Sequence, residues 1–251
     1  MWIYGINTVI SVLEKRSRGL KEVLVVRPSG QLKDKTDQNP KIQEIVSIAK
    51  KNSIKTSNIA LSDVSKRTGV KDGVNHQRVL AYIEPKAQRS IKDILSNDDK
   101  DITLLILDGV TDPNNLGAII RSAVAFGVKA IILPKDRSAQ IRDDVYKISG
   151  GSIEDIDICT EVNLARVVEE LKEQGFWIYG FEEDADKKLN EVDLKGKVCC
   201  VLGGEDTGIR KLLSEKCDLL LNIPISTNVQ SLNVSVSAGV VLYEVYRQKL
   251  S

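Results

Sequence analysis

From residue 102 onward the chain alternates two textures. Short runs that are apolar at nearly every position, over 102–107, 130–133, 156–159, 176–181, 198–202 and 219–223, read as strands. Between them, apolar residues recur at helical spacing over 116–126, 141–148, 164–171, 209–213 and 232–250. Strands without a polar face, separated by helices, predict an α/β fold with a parallel sheet covered on both sides. In such sheets the chemistry sits in loops at the carboxyl ends of the strands. Residues 232–236 conflict locally, alternating like a strand while leading into a stretch long enough for a helix; helix is the reading adopted.

The first hundred residues have a different rhythm. Residues 23–26 form a short β-branched run, 42–48 carry apolar residues at helical spacing, and 78–83 read as a strand. The text then turns polar around a short 91–95 segment that could form a helical turn. These changes predict a small α/β domain over 1–85, a linker over 86–100 and a larger parallel-sheet domain over 101–251.

Composition narrows the class. The chain has 251 residues, 42% of them hydrophobic and 4% aromatic, so a packed core of Ile, Val and Leu is expected and disordered or fibrous classes are excluded. No apolar stretch approaches the ~20 residues of a membrane helix and the N-terminus has no secretory pattern, so a soluble, cytoplasmic protein is expected. Four cysteines without CxxC spacing and a single histidine, His76, offer too few ligands for zinc and no disulfide framework, so no metal is expected. With 36 Lys+Arg against 35 Asp+Glu, nucleic-acid binding would need local basic patches. Lys15, Arg16, Arg18, Lys21, Lys50, Lys51, Lys55, Lys66, Arg67, Lys71 and Arg78 could supply one in the N-terminal domain, or simply form a solvated face.

Three loops could carry chemistry. The first, Asp112-Pro113-Asn114-Asn115-Leu116-Gly117, is a turn leading into a helix, with Asn115 a candidate N-cap. Arg121 follows on that helix between Gly117 and Ala125, small neighbours that leave its guanidinium free to meet a phosphate or carboxylate, or to form a surface ion pair. The second is Leu202-Gly203-Gly204-Glu205-Asp206-Thr207-Gly208, directly after a predicted strand. Its glycines allow close backbone approach to a ligand, and Glu205 projects into the same crevice. Its spacing matches neither GxGxxG nor a Walker loop, which disfavours a nicotinamide dehydrogenase. The third runs from Ile223-Pro224 to Ser231-Leu232-Asn233-Val234-Ser235, with Ser231 a candidate N-cap and small residues beyond it.

Taken together and in this order, the three loops resemble the sequence motifs of the SPOUT-class RNA methyltransferases of the TrmH/RlmB family. Tyr4-Gly5-Ile6-Asn7-Thr8-Val9 and Asn75-His76-Gln77 resemble that family's N-terminal RNA-binding extension, so the likeness spans nearly the whole chain. Arg78 departs from the pattern, at a place where the family more often has glycine. The resemblance implies a deep trefoil knot, a homodimer whose active sites borrow residues from the partner, and methyl transfer from S-adenosylmethionine to a ribose 2′-hydroxyl. It places Arg121, Asn115, Glu205, Ser231 and Asn233 in the catalytic site. Leu202, Gly203, Gly204, Ile223, Pro224, Ser231 and Leu232 would hold the cofactor. Arg121 is expected to bind the target phosphate and stabilise developing alkoxide charge, because an arginine is a poor base. The two-domain layout resembles the ribosomal branch, so a guanosine in large-subunit ribosomal RNA is the expected target. The alternatives are a transfer-RNA guanosine, or a catalytically inactive RNA-binding or ribosome-assembly protein with the same fold.

Overall fold

A computed structural model of the chain describes residues 1–27, 39–87, 89–95, 100–205, 207–226 and 229–250. Part of the expected linker (Gln88 and 96–99), and Asp206, Thr227 and Asn228 of the loops above, lie outside the described residues. The chain divides into two compact units, Met1–Ala87 with Ile141–Asp155, and Gln88–Gln140 with Ile156–Ser251. None of the described helices is long and apolar enough to cross a membrane.

The N-terminal unit is built on four strands, β1 (Trp2–Tyr4), β2 (Leu20–Arg27), β3 (Lys55–Ala60) and β4 (Val79–Ile83), in the order β1-β4-β2-β3. Only the β2–β3 pair is parallel. Helix α1 (Ile6–Arg16) buries Thr8, Val9, Val12 and Leu13, and α2 (Pro40–Lys51) buries Ile42, Ile45 and Ala49, the one-sided spacing of amphipathic helices. The side chain of Asn39 caps α2 by accepting the Lys41 N–H at 3.0 Å. A short α3 (Val64–Thr68) ends at Gly69, which is left-handed. Residues Gln77 and Arg78, just before β4, also have positive φ, 51° and 64°. Arg78 thus stands at a backbone position where glycine would be unstrained, which is the physical content of its departure from the family pattern.

Helix α6 (Asp143–Ile148) forms where helical spacing predicts one, but it clusters with the N-terminal unit instead of continuing the βα alternation around it. The reason is polar and specific. Glu154, whose side chain is only 1% exposed, accepts from Arg16 Nε at 2.7 Å and Nη2 at 3.2 Å, and from the Tyr146 hydroxyl at 2.9 Å. Lys15 pairs with Asp155, and the Ser11 hydroxyl donates to the Gly151 carbonyl at 3.1 Å. A bidentate guanidinium on a buried carboxylate fixes both distance and angle.

The larger unit is a sheet of seven strands: β5 (Ile102–Asp108), β6 (Ala130–Pro134), β7 (Asp157–Glu161), β8 (Trp177–Phe181), β9 (Lys187–Lys188), β10 (Lys197–Gly203) and β11 (Leu219–Asn222). Their order is β7-β6-β5-β10-β8-β11-β9, and every pairing is parallel. All of β5 and β6 is buried, so the uniformly apolar runs mark strands covered on both faces. Besides the short α4 (Ile91–Ile94), the helices are α5 (Pro113–Ala125), α7 (Leu164–Glu173), α8 (Lys211–Ser214) and α9 (Val234–Lys249).

Two helix starts differ from expectation. The cap of α5 is Asp112, whose side chain accepts the Asn114 N–H at 2.9 Å, with Pro113 at the first helical position; Asn115 is already inside the helix. A proline needs no hydrogen-bond acceptor for its nitrogen, which favours the earlier start. Helix α9 is capped by Asn233 accepting the Ser235 N–H at 2.9 Å, so Ser231 precedes the cap and 232–236 forms no strand.

Removing the carboxylate of Glu154 leaves Arg16 half-desolvated without its partner. Glu154→Ala is expected to lower stability by about 3 kcal/mol, read from denaturant unfolding with far-ultraviolet detection.

Candidate active site

Strand order sets the location. From β5 the chain steps to β6 and β7 on one side, whereas β10, β8 and β11 extend the sheet on the other. The carboxyl ends of β5 and β10 therefore flank a topological switch point, where neighbouring loops diverge and leave a crevice. The first loop emerges from β5 at Asp108, the second from β10 at Gly203, and the third from β11 at Asn222.

The loops meet at distances that only glycine allows. A Cβ on Gly203 would stand 1.9 Å from the Gly208 carbonyl carbon, and one on Gly204 would stand 2.4 Å from the Gly109 carbonyl oxygen. Gly109 and Gly208 themselves have φ of +88° and +59°. The Gly204 N–H donates to the Asp108 carbonyl at 2.8 Å, and Gly208 N–H returns to the Gly204 carbonyl at 2.9 Å. Beneath this knuckle the buried Asp108 carboxylate accepts from the Arg210 backbone N–H at 2.9 Å and its Nε at 2.8 Å.

Three of the five expected polar residues form one cluster. The Asn115 amide, on a residue 8% exposed, donates to Glu205 Oε1 at 2.9 Å. Asn233 donates both to the same Glu205 oxygen and, at 3.1 Å, to Asn115 Oδ1. The Asn233 oxygen meanwhile accepts from Ser235 N–H at 2.9 Å and Oγ at 2.6 Å. One carboxylate oxygen thus ties residues from all three loops, and Asn233 serves as helix cap and cluster member at once.

Beside the cluster lies a cleft of about 780 Å3. Leu202, Gly203, Gly204, Ile223, Ser231 and Leu232 are on its wall, together with Glu205 and Asn233; Pro224 is not. Sequence reasoning missed Phe181, Glu182, Glu183 and Asp184, which line the cleft from the end of β8. The signal is in the sequence, since 176–181 reads as a strand and its carboxyl end belongs on the same edge.

The structure does not bring Arg121 to this cleft. It is exposed on α5, has no hydrogen-bond or ion-pair partner among the described residues, and lines neither this cleft nor the smaller cavity next to it. No group of three or more potential metal ligands occurs among the described residues. Cys199 and Cys200 are fully buried in β10, and burial pushes the Cys200 thiol up to about 12, which suits core filling rather than nucleophilic use. His76 lies in the N-terminal unit, where its Nδ1 accepts the Arg78 N–H at 3.0 Å. Burial, and then the nearby Lys147 charge, hold its pKa below the ordinary value. Part of the basic set in that unit is already paired, Lys55 and Arg67 with Glu22 and Lys21 with Glu84.

The chain belongs to the SpoU rRNA Methylase family, whose model matches residues 103–243, a span that holds all three loops of the cleft. Over 251 residues it is 41% identical to the protein named 23S rRNA (guanosine-2'-O-)-methyltransferase RlmB of Xylella fastidiosa strain 9a5c, covering 99% of this chain and 96% of the relative. The protein of the same name from Xanthomonas campestris pv. campestris is 39% identical, covering 99% of this chain and 97% of its own length. Among solved structures, the SpoU methyltransferase AviRb from Streptomyces viridochromogenes in complex with AdoMet has the same fold. Its TM-score is 0.79 at 20% identity, covering 99% of this chain and 90% of that one.

The contact between Gly203 and the 208–209 backbone gives a direct test of the knuckle. Gly203→Ala cannot be accommodated without moving backbone, and is expected to cost about 2 kcal/mol or more in denaturant unfolding.

Proposed function

We propose that this chain is an S-adenosylmethionine-dependent RNA 2′-O-methyltransferase that modifies the ribose of a guanosine in large-subunit ribosomal RNA. It acts in the cytoplasm, as a homodimer whose C-terminal segment is threaded as a trefoil knot. One observation carries the reading: Glu205, Asn115 and Asn233, from three loops far apart in the chain, form one polar cluster on the wall of the glycine-lined cleft. Full-length likeness to relatives named as ribosomal-RNA methyltransferases supports the substrate class.

The cleft suits this cofactor chemically. Gly203 and Gly204 stand on the cleft wall without a phosphate-binding loop, which suits a cofactor that carries no phosphate. Glu182, Glu183 and Asp184 supply negative charge for a cationic ligand. When bound, S-adenosylmethionine supplies a methyl group already activated on a sulfonium. What remains for the protein is alignment and handling of the hydroxyl. The Glu205 cluster holds the loops rigid around the position of the ribose. Arg121 meets the substrate phosphate and stabilises charge developing on the 2′-oxygen.

For Arg121 to do so it must reach a cleft other than its own. Helix α9 offers the means: Val236, Val240 and Tyr243 recur at i, i+4 and i+7 and are 50%, 38% and 53% exposed. Tyr243 also stacks edge-on against Phe126, at the end of the Arg121 helix, with centroids 5.7 Å apart. A second copy covering this apolar stripe would carry its own Arg121 toward the cleft of the first. The N-terminal unit, in which Arg18, Lys50, Lys51, Lys66 and Lys71 have no partner among the described residues, supplies RNA contacts.

Labelled S-adenosylmethionine is incubated with unmodified ribosomal RNA and, separately, with unmodified transfer RNA. Label recovered as 2′-O-methylguanosine in the ribosomal pool alone is expected; label in transfer RNA instead moves the substrate, and cofactor binding without transfer to either favours an RNA-binding role. Arg121→Ala is expected to lower turnover by about 100-fold or more while leaving cofactor affinity, by calorimetry, unchanged. Mixing inactive Arg121→Ala and Glu205→Ala proteins under exchange conditions is expected to restore about a quarter of wild-type activity, since one site in each mixed dimer is intact. No recovery would place Arg121 in its own subunit's site.

A further inference from the structure

A second cavity, of about 320 Å3, opens at the same strand ends and shares Glu205, Thr207 and Val234 with the cleft. Any nucleotide whose 2′-oxygen reaches the cluster must put its base somewhere close by, and this cavity borders that position. Its polar lining is mixed. Among the described residues, three carboxylates line it, from Asp108, Asp112 and Glu205, together with two guanidiniums, from Arg137 and Arg210.

Most of these groups are occupied. Asp108 is engaged through both oxygens by Arg210, which is thereby held in place. Glu205 Oε1 takes Asn115 and Asn233; its Oε2 has no partner among the described residues, but this carboxylate already serves to hold the three loops together. Asp112 uses only Oδ1, which accepts the Asn114 N–H and side-chain amide, both at 2.9 Å; its second oxygen has no partner among the described residues. Arg137 has none either, and its backbone is held at φ 61°, a left-handed conformation unfavourable for a residue with a Cβ. Strain of this kind persists where the surroundings dictate it, often at ligand sites.

An open carboxylate oxygen and an open guanidinium on one cavity do not suit a phosphate, which the surrounding carboxylates would repel. They suit an uncharged base with donors on one edge and acceptors on the next. Guanine has that pattern, with N1–H and a 2-amino group on its Watson–Crick edge and O6 and N7 as acceptors. We infer that this cavity seats the guanine of the target nucleotide, Asp112 accepting from N1–H and the 2-amino group and Arg137 donating to O6 and N7. The inference rests on the proposed ribose methylation and adds the groups that choose the base.

Two conservative variants and two base analogues test it. Asp112→Asn keeps an oxygen for the α5 cap, since asparagine caps as well as aspartate, while removing the carboxylate. Arg137→Gly removes the guanidinium at a backbone position that glycine adopts freely. Wild type and both variants are assayed on an RNA fragment carrying guanosine, inosine or 7-deazaguanosine at the methylated position; inosine lacks only the 2-amino group and 7-deazaguanosine only the N7 acceptor. For the wild type, kcat/KM is expected to fall about 10-fold on each analogue, in line with the loss of one specific base contact. Asp112→Asn is expected to treat inosine and guanosine alike yet still discriminate against 7-deazaguanosine, and Arg137→Gly to show the converse. Both are expected to bind S-adenosylmethionine with wild-type affinity, which reports an intact fold.

Variants that keep wild-type discrimination against both analogues overturn the inference. So does an Arg137→Gly enzyme whose discrimination is unchanged but whose log KM against log salt slope drops by about one, the mark of a lost phosphate contact. A wild-type enzyme that methylates no ribose in any of the three RNAs instead removes the functional reading on which the inference stands.

Discussion

The site depends on how closely two backbones can lie together. Residues 203–204 rest against 208–209 and against Gly109 at separations that admit no side chain, and this contact holds the first and second loops in register. With the loops so placed, Asn115 and Glu205 come within a hydrogen bond of each other, and Asn233 from the third loop can close the cluster. The polar chemistry is downstream of the steric condition: a short amide and a carboxylate have little reach, so they meet only when their backbones are already close.

The sheet supplies the other half of the arrangement. Because β5 and β10 pair along seven residues and their carboxyl ends diverge to opposite sides, the crevice is a property of strand order and not of any one loop. Buried, fully apolar strands make that order rigid. The Asp108–Arg210 pair then fastens the end of β5 to the segment after the second loop, so both walls of the crevice are anchored from below.

Much of this was legible in the residues. Uniformly apolar runs gave away covered parallel strands, and paired glycines after one of them marked the close backbone approach. Other features were hidden for physical reasons. Asn115 looked like a cap because asparagine caps helices, but Asp112-Pro113 upstream makes an earlier and better start. The helix over 143–148 was readable from its spacing, whereas the unit it joins is decided by Glu154 meeting Arg16, a pairing that no local pattern encodes. The acidic end of β8 carries no local mark of its place on the cleft, because charged residues after a strand usually face solvent. Arg121 shows a further limit: its motif is intact, yet its own cleft is not where its side chain lies.

The buried Glu154 carboxylate also bears on the order in which the protein can assemble during synthesis. Its partner Arg16 emerges early, but the carboxylate is made some 138 residues later, after β5, α5 and β6 of the other unit have been synthesised. The N-terminal unit therefore cannot be completed first, as simple domain-by-domain folding would have it. Until residue 155 appears, Arg16 and the face of α1 that receives the returning segment remain uncovered, so a cut at the chain's polar connection would part the N-terminal unit from its own residues 141–155.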